Sequence, residues 1–177
     1  MHNAHSRPDS PIATGTVTSN DGTIIGYRVL GQGPGLLIVH GSAGRSEYFL
    51  PLAQLLADRY TVYVMDRRGR GLSGPQGADY HIEQEYADVI ALVEQTSIPY
   101  VFGHSYGGTV ALGAALTRLL PKLALYEPGL SEPLRVTLHA LQAALPQAHT
   151  LILPNQGHSA PTTAPELVAP LLQAFFT

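Results

Sequence analysis

The chain has 177 residues, enough for one domain with a sizeable core, of which 45% are hydrophobic and 13% charged. That charged share is about half of the roughly 25% usual in soluble domains, so the surface is expected to favour self-association, most simply as a homodimer, or to carry an exposed apolar groove. A net charge of −3 gives no electrostatic footprint for nucleic acid, and the absence of cysteine removes disulfides, thiolate metal sites and cysteine nucleophiles together.

The N-terminal MHNAHSRPDSP lacks the apolar core of a signal peptide, and no apolar run is long enough to span a bilayer. The sequence therefore reads as a cytoplasmic protein without a membrane partner, with residues 1–13 as a loose tail and 14–177 as a single domain. TGTVTSNDGTIIGYRV places two β-rich runs around Asn20-Asp21-Gly22, a hairpin signal. GLLIVH (35–40) and YTVYVMD (60–66) are short continuous apolar runs, as expected of strands buried on both faces. Between them, RSEYFLPLAQLLADR has apolar residues near helical spacing, and the turn-rich RRGRGLSGPQG follows the second strand. HIEQEYADVIALVEQ puts Ile82, Tyr86, Val89, Ile90 and Val93 on one helical face. IPYVFG then reads as a strand, YGGTVALGAALTRLL as a helix and KLALYEP as a strand. SEPLRVTLHALQAALP carries a helical stripe of Leu134, Leu138, Leu141 and Leu145, and HTLILP reads as a last strand. TAPELVAPLLQAFF is a last helix, with a capping-box pattern in Thr163 and Glu166 and with Pro170 expected to kink or shorten it. After the hairpin, strands and helices alternate, which predicts an α/β fold with a mostly parallel central sheet and helices on both faces.

In VFGHSYGGTV (101–110) a predicted strand meets a predicted helix at a serine. A serine hydroxyl is a poor nucleophile until a base takes its proton, and it must also stand clear of the backbone. A tight strand-to-helix turn exposes it but crowds its neighbours, and Gly103 and Gly107, two residues either side of Ser105, relieve that crowding. GHSYG fits the G-x-S-x-G pattern together with the strand and the helix that the pattern needs. Acyl transfer further requires donors for the developing oxyanion. The Tyr106 N–H, just after the serine, is one. The other is expected from the strand-to-helix loop HGSAG (40–44), with the Ser42 N–H as first choice and Ala43 as the alternative; Gly41, Ala43 and His104 are expected to line the substrate. The base should be a late histidine. Of the eight histidines, His2 and His5 fall in the tail, His40 and His104 flank the loop and the elbow, and His81, His139 and His149 read as helix or strand-edge residues. His158, in LPNQGHSA, is both late and loop-placed. No metal or cofactor is called for by this chemistry.

Taken together and in this order, HGSAG, MDRRGRGLS, GHSYGG, YEP and LPNQGH resemble the α/β-hydrolase fold enzymes, over roughly residues 14–177. The resemblance implies a Ser-acid-His esterase-type mechanism. Ser105 at the nucleophile position speaks against haloalkane dehalogenases and epoxide hydrolases, for which the resemblance would require aspartate there. The chain departs from the family in two ways. LALYEP leads through one helix straight to HTLILP, which leaves no room for a cap and no seventh strand, and no aspartate follows Asp88. The acid must then be Glu127, Glu132 or Glu166, or there is none. Glu127 is the first choice because it ends the strand after the nucleophile helix, where some family members carry their acid, and because a last strand pairing beside 122–127 would keep it next to His158. Asp66, with Arg67, Arg68 and Arg70, is assigned to a structural turn rather than to a phosphate cradle, since no P-loop pattern accompanies them. The sequence thus points to a cap-less serine carboxylesterase with a shallow, open site suited to small, short-acyl or activated esters. A cofactor-free perhydrolase with the same triad, and a catalytically inert hydrolase scaffold kept for binding or assembly, are the alternatives.

Overall fold

The computed structural model describes residues 10–118, 120, 122–129, 143 and 148–177. Strands β1 (Ala13–Thr18) and β2 (Ile24–Gly31) form the expected antiparallel hairpin. Its turn closes through Ser19 N to Thr23 O at 2.9 Å and Gly22 N to Ser19 O at 3.0 Å. Gly22 has φ +84°, a conformation that a side chain would strain. Strands β3 (Gly35–Val39), β4 (Thr61–Met65), β5 (Tyr100–His104) and β6 (Lys122–Tyr126) complete a six-stranded sheet of order β1-β2-β4-β3-β5-β6. β2 runs antiparallel to β4, whereas the β3–β4, β3–β5 and β5–β6 pairs are parallel.

The helices are α1 (Leu50–Leu56), α2 (Ile82–Thr96), α3 (Tyr106–Thr117), α4 (Ala160–Thr163) and α5 (Pro165–Phe175), with one 3₁₀ turn at Ser46–Phe49 leading into α1. Alternation along β3 shows how both faces of the sheet are covered. Leu36 and Ile38 pack with Leu52 and Leu56 of α1 and Val168 and Leu172 of α5. Leu37 and Val39 pack with Val89 and Leu92 of α2 and Val110 and Ala114 of α3. β3 is therefore buried on both faces, which is why it reads as an unbroken apolar run. Among the described helices, none is long and apolar enough to cross a membrane.

Asp66, directly after β4, ties the loops around the C-terminal ends of the strands together. Its fully buried carboxylate accepts from Ser46 N at 2.7 Å, Ser46 Oγ at 2.9 Å, Leu72 N at 3.0 Å and Arg28 Nη1 at 3.2 Å. Gly71, at φ +45°, lies against it so closely that a Cβ there would sit 2.2 Å from Oδ2. The turn role of Asp66 follows directly. Arg67 and Arg68 are buried and engaged by Glu85 and Asp88, so neither is available as part of a phosphate cradle.

Three local expectations are corrected. Residues 148–153, which include most of HTLILP, form no strand, and among the described residues no last strand pairs beside β6. Leu151 and Ile152 are 65% and 80% exposed, so this apolar run gains neither a ladder nor a core face. Thr163 does not cap the last helix: it closes α4, its hydroxyl donates to Ser159 O at 3.1 Å, and Ala164 is the N-cap of α5. α5 continues through Pro170 to Phe175 instead of stopping there. The predicted helix with the Leu134, Leu138, Leu141 and Leu145 stripe, the candidate acid Glu132 and the start of the N-terminal tail lie outside the described residues.

Replacing Asp66 by alanine leaves Ser46 N, Leu72 N and Arg28 without their shared acceptor. We expect this to cost about 3 kcal/mol, read as a lower urea midpoint at unchanged m-value. A loss below ~0.5 kcal/mol would show that the carboxylate is not the anchor.

Candidate functional site

Ser105 joins β5 to α3 with φ 53° and ψ −127°. A non-glycine residue at positive φ costs of order 1–3 kcal/mol and persists only where its surroundings hold it. Here four backbone hydrogen bonds do so. Ser105 N donates to Tyr126 O at 3.0 Å, and Ser105 O accepts from Gly108 N at 2.8 Å, Gly129 N at 3.1 Å and Thr109 N at 3.2 Å. The flanking glycines are required by close approach. A Cβ on Gly103 would lie 2.7 Å from Gly108 Cα, and one on Gly107 would lie 2.3 Å from Val39 O and 2.4 Å from His40 O. The start of α3 therefore presses directly on the end of β3. Tyr106 is the first residue of α3, so its N–H has no acceptor within the helix.

The loop 40–44 stands beside this elbow. A Cβ on Gly41 would be 3.1 Å from Ser105 Cβ. Ser42 and Ala43 are exposed at the tip of the loop, and Ser42 O accepts from Arg70 Nη2 at 3.3 Å. His40 is fully buried. Its Nε2 accepts from Arg67 N at 3.2 Å, which leaves the proton on Nδ1 for the carbonyl of Gly41 at 2.8 Å. Burial is the main cause that lowers its pKa to about 4, so the ring is neutral.

His158 and Glu127 meet although no strand carries the histidine. His158 Nδ1 lies 2.7 Å from Glu127 Oε2, with the two side chains 52% and 32% exposed. Two side chains from the ends of β5 and β6 hold the loop: Tyr126 Oη donates to Gly157 O at 3.0 Å, and His104 Nε2 donates to His158 O at 2.7 Å. The rings of His104 and His158 also pack at 4.8 Å between centroids. His104 is buried, which lowers its pKa. Its contribution to the site is thus a hold on the His158 loop, and its Nε2 is already engaged there. Glu127 itself has φ 40°, a second strained residue next to the first. Among the described residues no hydrogen bond joins Ser105 Oγ to His158, whose Nε2 is the nitrogen left available by Glu127. Glu166 is exposed in the first turn of α5 and takes no part in this pairing.

Sequence reasoning missed Tyr80 and Glu85 and the role of Arg67. Glu85 is 1% exposed on α2 and binds the Arg67 guanidinium with both oxygens, at 2.5 and 2.8 Å. Tyr80 Oη reaches Glu85 Oε1 at 2.6 Å and Tyr106 Oη at 2.7 Å. The signal that could have found Glu85 is its place at i, i+4, i+7 with Val89 and Leu92, a carboxylate on the buried stripe.

A family model described as the alpha/beta hydrolase family matches residues 36–170, and the chain belongs to that family. An uncharacterised hydrolase of Bacillus subtilis strain 168 is 39% identical over 106 residues, covering 54% of this chain and 39% of that protein. The pimeloyl-acyl-carrier-protein methyl ester esterase of Stenotrophomonas maltophilia K279a is 36% identical over 96 residues, covering 54% of this chain and 35% of that one. These matches span well under half the length of the curated relatives. Among solved structures, an alpha/beta hydrolase from Sphaerobacter thermophilus DSM 20745 is 28% identical with a TM-score of 0.62, covering 92% of this chain and 73% of that one. A predicted CIB-like hydrolase from Thermoplasma acidophilum shares the fold at a TM-score of 0.77 and 14% identity, over 94% of this chain and 98% of that one.

The neutral, buried His40 makes stability depend on pH. Between the ordinary histidine value of 6.5 and about 4, the unfolded chain binds a proton that folded His40 refuses. This contribution is fully present above pH 6.5 and is lost as pH falls towards 4, by roughly 3 kcal/mol in all. We expect denaturation midpoints to fall over that window and the slope to flatten in His40→Asn; equal slopes in both proteins would rule His40 out as the source.

Proposed function

We propose that this chain is a serine hydrolase that cleaves small carboxylic esters through an acyl-enzyme intermediate. The observation that carries this reading is a strained Ser105 at the end of β5 with a His158–Glu127 pair at 2.7 Å at the end of the neighbouring β6. The family membership, and an esterase among the relatives, support it.

The chemistry follows from which atoms are engaged. Glu127 takes the Nδ1–H of His158, which fixes the tautomer and leaves Nε2 to accept the Ser105 proton. Bonds of this kind are often open in a substrate-free enzyme and close in the Michaelis complex. Ser105 Oγ attacks the ester carbonyl, and the N–H groups of Ser42 and Tyr106 receive the oxyanion. The tetrahedral intermediate collapses, His158 protonates the departing alkoxide, and an acyl-Ser105 ester remains. Water then attacks the acyl carbonyl with His158 again as base, and collapse returns the serine and releases the acid. Glu127 stabilises the imidazolium in both halves. Each step uses only protein groups and water. Ser42, Ala43 and His158 are exposed, so these residues give the site little apolar wall among the described residues, which suits short-acyl or activated esters.

Initial rates on p-nitrophenyl acetate test this. Ser105→Ala is expected to abolish turnover, and Glu127→Gln to lower kcat by as much as ~10⁴-fold. Glu166→Gln should leave the rate unchanged. Equal rates for the parent protein and Ser105→Ala would remove the enzyme reading, and a fully active Glu127→Gln would remove Glu127 from the triad.

A further inference from the structure

We propose that Arg67 is a positioning residue that orients both oxyanion donors at once, an inference that rests on the esterase reading above. Arg67 follows β4 by two residues and is buried between the loop 40–44 and α2. Its fork is committed in two directions. Nε and Nη2 pair with Glu85, and Nη1 donates to Gly41 O at 3.1 Å. Gly41 O also accepts from His40 Nδ1 at 2.8 Å and Gly44 N at 3.1 Å. The Gly41 carbonyl and the Ser42 N–H belong to one trans peptide plane and point in opposite directions. Pinning that oxygen towards Arg67 turns the Ser42 N–H the other way, on a loop that borders Ser105 at Gly41.

The second donor is held by the same side chain. The guanidinium carbon of Arg67 lies 4.4 Å from the centroid of the Tyr106 ring, in cation–π contact. Tyr106 Oη is joined to Tyr80 Oη at 2.7 Å, and Tyr80 to Glu85 at 2.6 Å. Burial, reinforced by that carboxylate, keeps the Tyr80 hydroxyl protonated, so it donates to Glu85 and accepts from Tyr106. Arg67, Glu85, Tyr80 and Tyr106 therefore form a closed ring of contacts under the elbow. The Tyr106 side chain cannot turn without breaking it, and the ring of contacts thereby anchors the residue whose N–H opens α3. Arg68 provides the contrast. It is equally buried and equally paired, with Asp88 at 2.6 Å and Asp21 at 2.8 Å, but hydrogen bonds to neither the loop 40–44 nor Tyr106.

The test compares Arg67→Lys, Arg67→Met, Tyr80→Phe and Arg68→Met with the parent protein. It reads kcat and KM on p-nitrophenyl acetate, the pH profile of kcat/KM, and inhibition by a short trifluoromethyl ketone, whose hemiketal with the serine carries the oxyanion. Losing one oxyanion donor costs ~10²–10³-fold in kcat, so misaiming two is expected to cost the Arg67 variants ~10–100-fold or more. KM should stay within about threefold and ketone affinity should fall in step with kcat. The apparent pKa of the profile should not move, because His158 and Glu127 are untouched. Lysine cannot pair with Glu85 bidentately and reach Gly41 as well, so it should not rescue. Tyr80→Phe should show a smaller loss of the same pattern. Arg68→Met should lose stability and keep both kcat and ketone affinity. If Arg67→Met does not fold, Arg67→Lys and Tyr80→Phe decide. Folded variants of these two with parental kcat and ketone affinity would overturn the inference, as would an equal loss in Arg68→Met. A parent no faster than Ser105→Ala would overturn the esterase reading and this inference with it; an active parent with indifferent Arg67 variants would overturn the inference alone.

Discussion

The left-handed backbone of Ser105 is the constraint around which the site is arranged. It turns the chain from β5 into α3 without an intervening loop, and this brings the first turn of α3 onto the carbonyls at the end of β3. Only glycine fits at 107 against those carbonyls, and at 103 against the first turn of α3. Gly41 lies against Ser105 there, and α3 opens with an N–H that has no acceptor within the helix. The strain is offset by the four backbone bonds at Ser105, two of which run to Tyr126 and Gly129. The serine and the strand end that carries Glu127 are thus mechanically one unit.

The histidine is added to this unit by side-chain chemistry. His158 follows Glu127 by 31 residues, and among the described residues no ladder delivers it. Tyr126 and His104, at the ends of adjacent parallel strands, hold the carbonyls of Gly157 and His158 instead. Two hydrogen bonds and one ring contact do for the His158 loop what a strand was expected to do. Such a loop has fewer bonds to lose than a strand, so the placement of His158 depends on the side chains of Tyr126 and His104.

Much of this was legible in the sequence where the signal is local. The Asn-Asp-Gly hairpin, the doubly buried strands and the strand-serine-helix turn are each fixed by neighbours a few residues away. Glu127 stands out as the end of the strand after α3, with a last strand expected to bring His158 beside it; the two side chains meet at 2.7 Å, but His158 comes from a loop. The parts that were not legible depend on distant partners. Glu85 and Asp88 sit on the buried face of α2 because Arg67 and Arg68 are buried opposite them; the spacing of Glu85 from Val89 and Leu92 marks its face, but nothing within the helix names its partner. HTLILP has the composition of a strand, but composition does not supply a neighbour to pair with, and Leu151 and Ile152 remain exposed. Thr163 matched a capping pattern, but its hydroxyl bonds back to Ser159.

The central claim is that Ser105 is a nucleophile activated by His158. The most direct measurement is the site of covalent modification by a diethyl aryl phosphate, read by intact mass and peptide mapping. A single diethylphosphoryl adduct is expected on Ser105, formed by the parent protein and by Glu166→Gln but suppressed in His158→Ala. An adduct elsewhere, or one on Ser105 that forms equally fast without His158, would contradict it.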